Sequence, residues 1–128
     1  MPGDWATVEM DGTINLLGRG SVCINTGGEK VFPEEVEEVL KLHPAVRDAV
    51  AVGIPDERFG NVVAGVVELR PGTTVTETDL SEHVRAHLAA YKAPKRVRFV
   101  DTIGRSPAGK VDYARHRAET TEWATPPA

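Results

Sequence analysis

The sequence predicts an α+β fold, and three observations carry that expectation. Two apolar runs, residues 49–54 and 61–69, stand either side of a short polar loop, as buried paired strands do. Two segments carry apolar residues at helical spacing: Val36, Val39 and Leu40 in one, and Leu80, Val84 and Leu88 in the other. A further run, Arg96-Val97-Arg98-Phe99-Val100, alternates polar and apolar with the period of a half-buried strand, Val97 and Phe99 inward. Helices packed on a small, largely antiparallel sheet, with an N-terminal β-hairpin and about three helices, accommodate all three.

The elements are justified in chain order. Residues 5–17 read as the hairpin, because Asp11-Gly12 is a tight-turn pair between two strand-like runs. Val22-Cys23-Ile24 is a short strand closed by Gly27-Gly28. A helix is expected over residues 33–42. Pro33 suits its first turn, Glu34, Glu35, Glu37 and Glu38 suit its positive end and are expected to form its solvated face, and Lys41 suits the other end. Residues 55–60 form a loop between the two apolar strands, and Pro71-Gly72 ends the second. The next helix is placed over residues 79–90, with Asp79 and Glu82 at its start. A short helix follows the alternating strand, and the tail over residues 118–128, with Pro126-Pro127, is expected to be disordered.

Composition limits the function classes. The 128 residues suffice for one domain with a real core. A net charge of −4 argues against a nucleic-acid module. The single cysteine, Cys23, excludes an intramolecular disulfide and a cysteine-based zinc cluster, and its apolar neighbours make it a core residue. No apolar run reaches membrane-spanning length, and the N-terminus has no basic-then-apolar signal segment. A cytoplasmic location is expected.

Several motifs hold chemistry, each beside a plainer reading. Gly104-Arg105-Ser106-Pro107-Ala108-Gly109-Lys110-Val111 nearly matches a phosphate-binding P-loop, G-x-x-x-x-G-K-[ST]. Val111 replaces the hydroxyl that would hold magnesium, and Pro107 removes a backbone donor, so that reading is poor. What survives is Lys110 on a glycine turn, either a solvated surface lysine or a charge offered to a phosphate or carboxylate. Gly27-Gly28 is either a bare turn or a place where another molecule's atoms approach the backbone. Tyr91, Lys92, Lys95 and Arg96 form either a helix end with snorkelling side chains or a nucleotide patch. His83 and His87 have the i, i+4 spacing of a metal pair, but no third ligand is near, and no metal is assigned.

Taken in order, Gly3-Asp4, Gly18-Arg19-Gly20-Ser21, Thr26-Gly27-Gly28-Glu29-Lys30-Val31-Phe32-Pro33-Glu34-Glu35-Val36-Glu37, Tyr91-Lys92-Ala93-Pro94 and Arg105-Ser106-Pro107-Ala108-Gly109-Lys110 resemble the C-terminal domain of the adenylate-forming superfamily. That superfamily comprises acyl-CoA synthetases, peptide-synthetase adenylation domains and luciferases. The likeness runs to about Arg117, and residues 22–33 look closest to bacterial fatty-acyl or steroid-side-chain CoA ligases. It implies an ATP-dependent, AMP-forming acid–CoA ligase in which a small domain rotates between two half-reactions. Lys110 is then the adenylation lysine, Asp4 and Arg19 meet the nucleotide, and Ser21 falls at the hinge. Gly27 and Gly28 line the pantetheine tunnel, and Tyr91 and Lys95 meet the CoA nucleotide.

On this resemblance residues 1–18 form a hinge-proximal segment with the hairpin, and residues 19–117 the mobile domain. The family's hinge residue is usually Asp or Lys, whereas Ser21 is small and uncharged; Val111 is normal for the family. The large N-terminal domain, with the ATP loop, most contacts to ATP and Mg2+ and the acyl pocket, is not in this sequence, so the chain alone is expected to be inactive. The expected partners are that domain, a carboxylic acid and CoA. Two other readings stay open: a peptide-synthetase subdomain, and a stand-alone binding module.

Overall fold

The computed structural model describes residues 22–125. The expected N-terminal hairpin, and Asp4, Arg19 and Ser21, lie outside the described residues. The described elements are β1 (Ile24–Thr26), β2 (Glu29–Val31), α1 (Pro33–Lys41), β3 (Val46–Asp56), β4 (Gly60–Leu69), α2 (Glu77–Arg85), a 3-10 turn at Ala90–Lys92, β5 (Arg96–Val100) and α3 (Tyr113–Ala124). β1 and β2 form a small antiparallel hairpin. The main sheet has the order β3-β4-β5, with β3 antiparallel and β5 parallel to the central β4. The class is α+β, as the sequence implies.

The long apolar runs of β3 and β4 exist because both faces of this hairpin are covered. Ala49, Ala51, Val63 and Val67 pack with Ile24, Val31, Val36, Leu40, Leu80 and Val84, the side of α1, α2 and the small hairpin. Val50, Val52, Ile54, Val62 and Val66 pack with Ile103 and Tyr113 on the side of α3.

Each free sheet edge is sealed by side chains, which satisfies backbone groups that would otherwise be buried without partners. On β3, the Ala51 amide donates to Glu37 of α1 at 3.0 Å, and the Gly53 carbonyl accepts from Arg117 of α3 at 3.0 Å. On β5, the Val97 amide donates to Glu77 of α2 at 3.1 Å. Glu37 is therefore not part of a solvated acid face. It is 1% exposed, and the Tyr113 hydroxyl reaches round the β3 edge to donate to both its oxygens, at 3.0 and 2.8 Å.

Several expectations are corrected. The helix placed over residues 79–90 begins at Glu77, because Thr76 and Asp79 form a reciprocal cap (3.0 and 3.2 Å). It stops at Arg85, since the His87 ring takes the His83 carbonyl at 2.9 Å while the His87 amide shifts to Val84. The His83 ring donates to the Val39 carbonyl at 2.7 Å and ties α2 to α1. The polar loop is shorter than read, because β3 continues through Pro55 and Asp56. Phe99 is 39% exposed, so the expected inward alternation fails after Val97, while Val100 packs partly against the α3-side core. Cys23 is half-buried rather than core.

The tail expected to be disordered from residue 118 is helical through Ala124. Thr120 is fully buried beside Arg98 (3.4 Å), and Trp123 lies under the Arg96 guanidinium, 4.2 Å from its ring centre. These contacts with β5 hold the last turns, and the local sequence of α3, with little apolar periodicity, does not announce them.

Burial pushes the Glu37 carboxyl up to about 7, against the Ala51 amide and Tyr113 hydroxyl that favour its anion. Its ordinary value is 4.5, so the stabilisation it allows is complete below that pH and is lost as pH rises to about 7. Denaturant unfolding should show wild-type stability falling by roughly 3 kcal/mol across this window relative to Glu37→Gln. Parallel pH profiles for the two proteins would contradict this.

Candidate functional site

The candidate residues gather at two places. The first is built on the Gly27-Gly28 turn, where Thr26 pairs with Glu29 and both glycines have positive φ, +58° and +87°. This is the primed two-residue turn that matches strand twist and that only glycine-like residues adopt easily. The Gly27 amide donates to the Phe59 carbonyl at 2.9 Å, which fastens the turn to the β3–β4 connection. That connection is fixed by Asp56, whose carboxylate accepts from the Arg58 and Phe59 amides at 3.0 and 2.9 Å. A side chain on Gly27 would press on the Phe59 ring at 3.2 Å, whereas Gly28 faces open space.

Around the Phe59 ring stand two cations, Arg58 at 5.4 Å and Lys95 at 5.9 Å from its centre. Lys95 is brought here because its amide donates to Val63 at 2.8 Å as the chain enters β5. The turn glycines, Lys95 and Phe59 are thus one surface of open backbone, an aromatic face and positive charge. Tyr91 lies on the 3-10 turn before it, exposed, with the Lys92 ammonium 5.8 Å from its ring. Lys92 is paired with Glu35 at 2.8 Å, which pushes its ammonium pKa up and ties that turn to α1. Sequence reasoning missed Arg58 and Phe59. The available signal was a large aromatic beside a cation in an otherwise polar loop.

The second place is the Lys110 turn. Gly109 donates to the Ser106 carbonyl at 2.7 Å, a four-residue turn with Pro107 in its second position and Gly109 at φ +81°. Ser106 also holds Lys110 by both backbone groups: its hydroxyl accepts from the Lys110 amide at 3.1 Å, and its amide donates to the Lys110 carbonyl at 2.9 Å. Val111, the residue that spoils a P-loop, packs against the α3-side core and anchors the exposed lysine beside it.

The segment is fastened before and after the turn. Ile103 donates to Glu68 of β4 at 2.9 Å and accepts from His116 and Arg115 of α3 at 2.8 and 3.2 Å. Asp112 caps α3 through the Arg115 amide at 3.0 Å, and Tyr113 is tied to Glu37. Arg105 grips Asp48 of β3 with two hydrogen bonds, 2.7 and 2.9 Å. Burial alone would raise the Asp48 carboxyl, but Arg105 and the Ala49 amide outweigh it and hold it below its usual range.

The two places are attached to opposite ends of β3. Asp48 and Asp56 are eight residue steps apart along the strand, about 26 Å at ~3.3 Å per residue. No single small group can touch both. Among the described residues no group of three or more His, Cys, Asp or Glu could hold a metal ion, and no helix is long and apolar enough to cross a membrane.

Residues 35–110 match the family of AMP-binding enzyme C-terminal domains. The chain belongs to that family. It is 59% identical over 120 residues to a 3-oxocholest-4-en-26-oate–CoA ligase of Rhodococcus rhodochrous, a match covering 94% of this chain and 22% of that protein. It is 57% identical over 122 residues to a medium/long-chain-fatty-acid–CoA/3-oxocholest-4-en-26-oate–CoA ligase of Mycobacterium tuberculosis, covering 95% of this chain and 22% of that one. Among solved structures, a Mycobacterium tuberculosis fatty acyl CoA synthetase matches with a TM-score of 0.73 and 35% identity, over 79% of this chain and 20% of that chain. Apo MatB from Rhodopseudomonas palustris matches with a TM-score of 0.76 and 33% identity, over 84% and 21%. This AMP-binding C-terminal domain therefore spans about a fifth of the length of its relatives.

The glycine turn gives a direct check. Gly27→Ala should lose about 1–2 kcal/mol of stability in urea unfolding, from left-handed strain and the approach to Phe59. Gly28→Ala should lose only the conformational part, about 1 kcal/mol. Wild-type stability in both variants would contradict this turn geometry.

Proposed function

We propose that this chain is the mobile domain of an ATP-dependent, AMP-forming acid–CoA ligase, and that its two sites serve the two half-reactions in turn. The observation that carries the reading is that the Lys110 segment is fastened to Asp48 and the Gly27-Gly28 surface to Asp56, towards opposite ends of β3. Two chemistries that must occur at one substrate carboxyl group can use both sites only if the domain turns between them. The ligase names of relatives at 57–59% identity support the reaction class, and a fatty acid or a steroid side-chain acid is the proposed substrate.

In the first half-reaction a carboxylate oxygen attacks the ATP α-phosphorus and pyrophosphate leaves. Both reactants are anions, so the approach needs positive charge placed between them. Lys110 supplies it from an exposed turn whose backbone is fixed. In the second, the CoA sulfur replaces AMP at the acyl carbon. Gly28, which has open space where a side chain would stand, leaves room for the pantetheine arm. Phe59 offers a face for the adenine ring of CoA, with Arg58, Lys95 and Tyr91 as neighbours for its phosphates and base.

Among the described residues no group of three or more His, Cys, Asp or Glu could hold a metal ion. The reading assigns most contacts to ATP and Mg2+ to the N-terminal domain, as it does the acyl pocket. Asp4, Arg19 and Ser21 remain its candidates for ribose, nucleotide and hinge. The location proposed is cytoplasmic, where ATP and CoA are available.

The test protein is this chain joined to the N-terminal part of the Rhodococcus relative. Lys110→Ala should slow adenylation by roughly 100-fold or more while thioester formation from preformed adenylate changes little. Gly28→Leu should slow the second step by at least about 10-fold and spare the first. Equal losses in both steps for either variant would refute the division of labour. The 128-residue chain alone should show no acid-dependent ATP–pyrophosphate exchange.

A further inference from the structure

We propose that Asp48 is a positioning residue for Lys110, acting through Arg105 on the peptide group that carries the lysine. The inference rests on the adenylation role given to Lys110, and it concerns residues that touch neither reactant.

The Arg105 guanidinium is a rigid planar fork, and both of its sides are engaged. Its Nε and Nη2 donate to the two Asp48 oxygens at 2.7 and 2.9 Å. Its Nη1 donates to the Gly109 carbonyl at 3.2 Å. That carbonyl belongs to the peptide bond joining Gly109 to Lys110. Planar geometry makes the three bonds mutually dependent: when the Asp48 side is fixed, the direction of Nη1 is fixed too.

Asp48 is itself held. Its Oδ1 accepts from the Ala49 amide at 2.8 Å, and the four residues that follow Asp48 on the strand, Ala49, Val50, Ala51 and Val52, are buried. The strand is irregular between Val46 and Asp48, next to this anchor. A carboxylate fixed to β3 thus reaches, through one side chain, the exposed turn that presents the lysine. A lysine with four rotatable bonds on an unanchored turn would sample many positions. Anchoring its Cα narrows them before the substrate arrives. Lysine at position 105 could keep the ion pair but could not grip Asp48 with two donors and Gly109 with a third.

The experiment uses the joined ligase described above. Asp48→Asn, Arg105→Lys and their double variant should each lower the rate constant for adenylation by roughly 10- to 100-fold, with KM for acid and ATP within about twofold and thioester formation from preformed adenylate within about twofold. The double variant should lose no more than the worse single one, because the residues act as one relay. In the 128-residue chain, backbone 15N order parameters at Gly109 and Lys110 should fall from about 0.85 to below about 0.6 in Asp48→Asn, with those of β4 unchanged.

Three results would overturn the proposal: unchanged order parameters with unchanged adenylation in Asp48→Asn, equal losses in both half-reactions, or a raised KM for ATP in Arg105→Lys with Asp48→Asn unaffected. The last would make Arg105 a nucleotide ligand instead. Lys110→Ala in the same protein separates the two levels. If it spares adenylation, the functional reading fails. If it slows adenylation and Asp48→Asn does not, only the positioning role fails.

Discussion

The pairing of β3 with β4, buried on both faces, is the constraint on which the other features depend. Because helices cover both sides of this hairpin, its strands run as continuous apolar residues and leave little room to shift register. Its two ends then become fixed reference points. One end, through Asp56 and Phe59, carries the glycine turn and Lys95. The other, through Asp48 and Glu68, carries the segment that presents Lys110. Neither site could be placed by its own loop, because a loop of exposed glycine, serine and proline has few contacts with which to hold a geometry.

Buried polar groups complete this arrangement. Glu37 satisfies the edge amide of Ala51 and receives the Tyr113 hydroxyl, so one carboxylate joins α1, β3 and α3. Burial, followed by the neighbouring Glu37 charge and hydrogen bond, pushes the Tyr113 hydroxyl well above its usual range and keeps it a donor. Tyr113, three residues after Lys110, is therefore tied through Glu37 to the same strand that Asp48 occupies. Such groups stabilise little in net terms, but leaving one unpaired is costly, which makes them good locks.

Much of this was legible in the sequence, and the parts that were not have physical reasons. The apolar runs of β3 and β4 and the acidic start of α1 are local patterns, so they appear in a linear reading. The Gly27-Gly28 turn and the Lys110 motif are local too, since each depends on residues a few positions apart. Glu37 looked like one acid of a solvated face, although it stands four residues after Pro33 and three before Leu40 and so shares their buried helix face. Asp48 and Arg105 are 57 positions apart, and no local pattern can pair them. The end of α3 was missed for the same reason: its stability comes from Arg96 and Arg98 on another strand. Val111 shows the converse, a residue that failed one motif because its task is to reach the core.

The central claim is that opposite ends of one rigid sheet are used in succession. Hydrogen–deuterium exchange of the joined ligase tests it most directly, with a non-hydrolysable acyl-adenylate analogue in one sample and the same analogue linked to CoA in the other. The account predicts that the first protects residues 105–111 and leaves residues 26–30 and 57–60 exchanging freely, and that the second reverses the pattern. Protection of the same peptides in both samples would contradict it.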